Sequence, residues 1–373
     1  MQKVISIFNI FLVLLPLIAL CPQESPKKPP TFRVVPGGVP IDGDNSLIFI
    51  TNRSVLLLDK DTEESSTFFQ HTPTKTLKYG RYPYKFLGSK HKEGTFDDTV
   101  KRYRSKRLTE AEALADPKLT SLEPEVFVMI HGYNTNFDDS VKQAVLFKHD
   151  FYTGHHDTMK FVDFKVFSWP SKGNPIVYTN ERMEIKYNAP PMAEFISKII
   201  RIRGHEKVNF IVHSMGNDVF LTAIEHLDAS GELKNLSFGR VILAASDVSQ
   251  KHFQKAVPKL IERSRKVVQY ISARDKALGY SSKVNILAGG ARAGALVLPI
   301  KGLEVVDCEE VTDPQDRSAH SYYASSRPVL DDIAALFQDD SAKKTPDERH
   351  PGRFEMRKLD DGFAYWAFKK KAP

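Results

Sequence analysis

From residue 125 onward, short apolar runs alternate with amphipathic stretches along the chain. Residues 125–130, 207–212, 241–246, 267–272 and 303–307 are rich in β-branched and apolar residues and nearly continuous, as strands covered on both faces are. Between them, apolar residues recur every three or four positions. Phe137, Val141, Ala144 and Val145 follow the first run, and Val219, Phe220, Ala223, Ile224 and Leu227 follow the second. Further helices are predicted from Met192, Phe195, Ile196, Ile199 and Ile200, opened by Pro190 and Pro191 and closed by Gly204, and from the set Phe253, Ala256, Val257, Leu260 and Ile261. The last one is opened by Pro328 and patterned by Val329, Ile333, Leu336 and Phe337. This alternation predicts the α/β class, with a mostly parallel central sheet and helices on both faces. Before residue 120 the pattern is less regular. Residues 47–50 and 78–87 read as first strands, antiparallel at one edge, and Thr109 with Glu112 forms a capping box. No internal repeat is present.

Two strand ends carry candidate chemistry. At Ile211-Val212-His213-Ser214-Met215-Gly216-Asn217 an apolar run feeds a serine with a glycine two residues on, and a helical pattern follows. A sharp strand-to-helix turn of this kind exposes a nucleophilic serine to helix amides and to the positive end of the helix dipole. The match to G-x-S-x-G is incomplete, because Val212 stands where the first glycine belongs, and the same string also fits a plain strand-to-helix junction. The run at 125–130 ends in His131-Gly132-Tyr133-Asn134-Thr135. There the glycine lets the chain fold back, so that the N–H of Tyr133 joins that of Met215 as an oxyanion donor. The plainer alternative is an ordinary glycine turn with His131 as a structural histidine. The order of the two junctions, one βα unit apart, favours the oxyanion reading.

Chain order then limits the partners, since in this arrangement the acid and the histidine follow the serine. Of the twelve histidines, His226, His252, His320 and His350 do so. His226 lies inside the helix behind the serine, His252 begins another helical pattern, and His350 belongs to a charged, proline-containing stretch. His320, in a loop after the last strand, is the candidate base. Asp275 follows the penultimate strand and is the candidate acid, with Asp247 as its competitor. Either aspartate also suits a helix or turn cap.

Together these residues resemble a bacterial α/β-hydrolase family catalogued as a domain of unknown function and often labelled esterase/lipase superfamily. The motifs are Ile50-Thr51-Asn52-Arg53, Tyr79-Gly80-Arg81, His131-Gly132-Tyr133-Asn134, Phe167-Ser168-Trp169-Pro170-Ser171, His213-Ser214-Met215-Gly216-Asn217, Tyr270-Ile271-Ser272 leading to Asp275, Arg292 with Gly294, and His320-Ser321-Tyr322-Tyr323. They cover roughly residues 45–340 in order. The resemblance implies a hydrolase fold with Ser214, Asp275 and His320 as a triad and says little about substrate. His131, Asn134 and Trp169 are candidates for substrate contact, as is Arg292 toward a carboxylate or phosphate. Val212 departs from the family, many of whose members carry a smaller residue there.

The chain has 373 residues, 41% of them hydrophobic, enough for one large α/β domain. The expected division is a signal peptide or membrane anchor at 1–21, a proline-rich linker at 22–44, the hydrolase domain at 45–340 and a charged C-terminal tail at 341–373. The apolar run from Val4 to Cys21 is interrupted by Ser6, Asn9 and Pro16, imperfect for a spanning helix of about 20 apolar residues. Cys21 suits lipoprotein processing, although Leu20 is bulkier than that processing usually tolerates. Export to the periplasm or a membrane is expected.

Cys308 is the only other cysteine, which excludes a disulfide framework. No Cys/His cluster has zinc spacing, His155-His156-Asp157 reads as a polar loop, and neither metal nor cofactor is expected. The glycine-rich stretch 289–294 lacks dinucleotide and P-loop patterns and reads as a flexible loop. The net charge of +7 gathers at Lys101, Arg102, Arg104, Lys106 and Arg107 and at Lys369, Lys370 and Lys371. These suit solvated faces or an anionic membrane surface, and without an aromatic-basic motif nucleic acid is not expected. The expected activity is serine hydrolysis of a small-molecule or lipid carboxylic ester, or of a thioester. Acyl transfer by the same residues and a non-catalytic membrane-tethered binding protein are the alternatives.

Overall fold

The computed structural model describes residues 46–55, 69–86, 100–102, 106–115, 125–153, 163–172, 178–286, 290–312 and 318–370. The apolar segment 1–21, the linker 22–44, the 155–157 stretch, Gly289 and Lys371 lie outside the described residues, as do the side chains of 101–106. Its strands are β1 (Ser46–Val55), β2 (Phe69–Phe86), β3 (Val100–Arg102), β4 (Lys106–Leu108), β5 (Val126–Ile130), β6 (Asp163–Ser168), β7 (Val208–His213), β8 (Phe238–Ala244), β9 (Ser264–Ile271), β10 (Glu304–Asp307), β11 (Phe354–Lys358) and β12 (Ala364–Phe368). Nine helices connect or cover them among the described residues. They are α1 (Glu110–Ala115), α2 (Phe137–Thr153), α3 (Tyr178–Arg203), α4 (Gly216–Ala229), α5 (Gln250–Ile261), α6 (Lys276–Val284), α7 (Tyr322–Ser325), α8 (Arg327–Gln338) and α9 (Pro346–Arg349).

The strands form one sheet in the order β11-β12-β10-β9-β8-β7-β5-β6-β1-β2-β3, with β4 also on β2. The run from β12 to β1 is parallel throughout. Every residue of β5, β6, β7 and β8 is buried, which accounts for their continuous apolar runs. On one face Val126, Val128 and Ile130 share a core with Phe195 and Ile199 of α3, Phe220 and Ile224 of α4 and Phe253 of α5. On the other, the ring of Phe127 meets Phe151 of α2, Phe164 of β6 and Phe337 of α8. This is the α/β-hydrolase architecture, with helices on both faces of a mostly parallel sheet.

The structure extends the sequence reading in three places. The helix expected to open at Pro190 and Pro191 starts at Tyr178 and carries both prolines inside. Each proline removes one backbone donor, and a buried stripe from Ile185 to Ile200 holds the helix together across the gap. β6 lies between β5 and β1, a strand that no sequence expectation named. The segment expected as a charged tail is part of the fold: β11 and β12 pair antiparallel, and β12 runs parallel to β10, Val306 opposite Trp366. Asp360-Asp361-Gly362 makes the turn, closed by Leu359 N–H to Phe363 O at 3.0 Å. Exposed charges on this hairpin, such as Lys358 and Asp360, are what make the segment read as a tail.

The chain leaves β5 for β6 on one side, then returns through α3 to β7 on the other side of β5. The carboxyl ends of β5 and β7 therefore flank the point where the strand order reverses, and crevices form there in open α/β sheets. His131 and Ser214 follow directly after these two ends.

Candidate active site

Ser214 lies at φ +54°, the left-handed region that non-glycine residues seldom occupy. Such a conformation, on a turn between β7 and α4, lifts the side chain out of the strand. The turn is fixed by Ser214 N–H to Ala244 O at 3.0 Å and by Asn217 Nδ2, which donates to the carbonyls of Val212, Ser214 and Ala244. Two glycines let the β5 end and this turn interlock. A Cβ at Gly132 would stand 2.7 Å from Ser214 Cβ, and one at Gly216 would stand 2.3 Å from His131 O. Close approach thus falls at Gly132 and Gly216, whereas Val212 is an ordinary buried strand residue opposite Ile130 and Leu243. Met215 is the N-cap of α4, so its amide precedes the helix ladder and stands next to the serine, one residue from the dipole's positive end.

His320 and Asp275 come together: His320 Nδ1 stands 2.7 Å from Asp275 Oδ2. The other oxygen of Asp275 accepts from Leu278 N–H at 3.0 Å and caps α6, so the carboxylate is oriented twice over. Asp247 is engaged elsewhere. It accepts from Arg292 Nε at 2.8 Å, from Ser281 Oγ at 2.6 Å and from Tyr178 Oη at 2.8 Å. His213 packs against His320, ring centroids 4.7 Å apart, with its Nε2 3.2 Å from His320 O. Burial, and then the neighbouring His320, hold the His213 pKa well below its ordinary value, so it is a neutral donor to that carbonyl.

The residues proposed for substrate contact fall differently. His131 and Trp169 are both fully buried; their rings stack at 5.3 Å, and Trp169 Nε1 donates to His131 O at 2.8 Å. Burial lowers the His131 pKa to about 3, and Nδ1 engages Gly132 O at 2.8 Å, so its ring is held inside the fold next to the loop after β5. Arg292 is likewise fully buried on Asp247, which makes it a strut rather than a surface contact. Asn134 is half-buried at φ +57°, a conformation asparagine tolerates better than most residues. The side chain of Tyr133 is half-buried and meets the Tyr178 ring edge-on at 5.1 Å. His226 and His252 lie on α4 and α5, and His252 pairs with Asp218 at 2.8 Å.

A second group underpins the loop after β5, and no reading of single motifs identified it. Arg53, fully buried at the end of β1, donates through Nη2 to Thr135 O (3.0 Å), through Nη1 to Ser171 O (3.0 Å) and through Nε to Ser168 Oγ (3.1 Å). Ser171 Oγ takes the N–H of Thr135 at 3.1 Å and donates to buried Glu181 at 2.7 Å. Burial pushes the Arg53 pKa down to about 9, which leaves it a cation at neutral pH. The sequence signal was an arginine closing an apolar strand, a residue type seldom placed there without partners.

The fold is that of an α/β-hydrolase. The chain belongs to the family described as alpha/beta hydrolase of unknown function (DUF900), whose model matches residues 107–338. An uncharacterized protein of Nostoc sp., alr1448, is 30% identical over 121 residues, 27% of this chain; the chain spans about a third (31%) of that curated relative's length. A crystal structure described as that of a cell surface hydrolase from Lactobacillus plantarum shares 13% identity at a TM-score of 0.37, covering 61% of this chain and 96% of that one.

Proposed function

We propose that the protein is a serine hydrolase that cleaves a carboxylic ester or thioester through an acyl-enzyme. The observation that carries this reading is the 2.7 Å pairing of His320 Nδ1 with Asp275, next to a serine turn held at φ +54°. In this reading His320 Nε2 takes the Ser214 proton as Oγ attacks the acyl carbon, and the amides of Tyr133 and Met215 donate to the oxyanion. The imidazolium, stabilised by Asp275, then gives its proton to the leaving alcohol or thiol. Water, deprotonated by the same imidazole, attacks the acyl-enzyme and releases the acid. Turnover of p-nitrophenyl esters tests the proposal: Ser214→Ala should lower kcat by on the order of 10⁴-fold. A variant as fast as the wild type would refute it. We also propose export to the periplasm or a membrane, on the strength of the apolar run at 4–21 and the proline-rich stretch after it.

A further inference from the structure

We propose that the outward face of α6 docks on an anionic lipid bilayer and so brings the candidate active site to its substrate at the membrane. The functional half of this inference rests on the ester-hydrolase reading; the docking half does not. A surface helix ordinarily turns its apolar side inward. α6 does so with Leu278 alone among its large apolar residues. Of its nine residues it buries Leu278 and Ser281, and Ser281 is there for a hydrogen bond to Asp247. Apart from Leu278, its larger apolar residues face out: Tyr280 is 52% exposed, Val284 42%, and Ile286, just beyond the helix, 73%.

Charge decides what covers this ridge. Lys276 and Lys283 are exposed on the same helix, and residues 276–286 contain no acid. Glu309 and Glu310, on the loop beside its start, are engaged by Arg274 at 2.9 and 3.5 Å. A second copy docked through the same ridge would set lysine against lysine. Anionic headgroups reverse that sign, while the short apolar ridge and the tyrosine suit the boundary between headgroups and acyl chains. The position fits as well. Asp275 is the N-cap of α6, and Ser281 and Asn285 bond to the Tyr178 hydroxyl at 2.6 and 3.0 Å. The Tyr178 ring packs on Tyr133, whose amide is the proposed oxyanion donor. α6 is therefore tied to the candidate site through its buried residues.

The test uses the full chain with Ile286→Trp as a local reporter, and vesicles of phosphatidylcholine alone or mixed with phosphatidylglycerol. With phosphatidylglycerol present, the new indole should shift to the blue and be quenched by doxyl-labelled lipid, above the wild-type background. Lys276→Glu with Lys283→Glu should weaken that binding at least about tenfold. Tyr280→Ser with Val284→Ser and Ile286→Ser should leave turnover of a water-soluble ester unchanged and lower turnover of an ester embedded in the vesicles. Three results would each overturn docking: no quenching while the protein still sediments with vesicles, equal quenching without phosphatidylglycerol, or a blue shift that grows with protein concentration in the absence of lipid, which would assign the ridge to a second copy. Absence of any esterase turnover with quenching intact would sink the hydrolase reading alone.

Discussion

At the scale of single residues, the roles of two aspartates separate by what they touch. Asp275 holds the Nδ1 side of His320, whereas Asp247 is saturated by Arg292, Ser281 and Tyr178. Asp275→Asn should therefore cut kcat by orders of magnitude with little change in KM, as loss of tautomer control does in a triad. Asp247→Asn strands the buried Arg292 and should act on stability, seen as a lower urea midpoint with kcat little changed. The reverse pattern in steady-state kinetics would move the acid to Asp247. The buried histidines predict a pH effect. Folded His131 and His213 resist protonation, His131 down to about 3, whereas the unfolded chain takes up protons near 6.5. Stability should thus be complete above about pH 7 and fall on acidification, by about 1.4 kcal/mol per pH unit for each histidine below pH 6.5. His252, where Asp218 and Glu225 outweigh burial and raise the pKa, offsets part of this in a denaturation curve. NMR of the imidazole protons isolates the two: His131 should not titrate above pH 5 and His213 should titrate well below its ordinary value, and a midpoint near 6.5 for either would contradict the burial argument.

At the scale of elements, the strands and the helices with a clean stripe were legible because burial on both faces leaves no room for polar residues. The length of α3 was not, since two prolines mimic a helix start where the buried stripe carries the helix through. The hairpin β11–β12 hid behind its exposed charges. At the candidate site, the meeting of Asp275 with His320 was legible from chain order, because both follow strand ends at one edge of the sheet. The Arg53 support was not, because it joins β1, the loop after β5, the loop after β6 and α3, which are neighbours in space alone. Its consequence is testable. Arg53→Lys keeps the charge and loses the planar fork that spans Thr135 O and Ser171 O. If the fork sets the Tyr133 amide, kcat should fall by roughly 10- to 100-fold with KM nearly unchanged. A lower Tm with unaltered kcat would reduce Arg53 to a purely structural strut.

At the scale of the whole molecule, the reversal of strand order at β5 and β7 explains why residues more than eighty positions apart share one crevice. The described fold begins at β1 and closes with β12, and no described helix is long and apolar enough to cross a membrane. Deleting residues 1–30 should give a protein that no longer partitions with membranes through that segment and retains the turnover of the full chain, checked by fractionation and ester kinetics. Loss of turnover in a truncated protein with an unchanged circular dichroism spectrum would show that the leading segment serves the site itself.

The central claim is that Ser214 is an activated nucleophile, and covalent labelling measures this without knowledge of the substrate. Treated with a fluorophosphonate, the wild-type chain should gain one adduct mass, located by peptide mass spectrometry on Ser214, and His320→Ala should react far more slowly. A wild-type protein that stays unlabelled, or one modified at a different serine, would contradict the account.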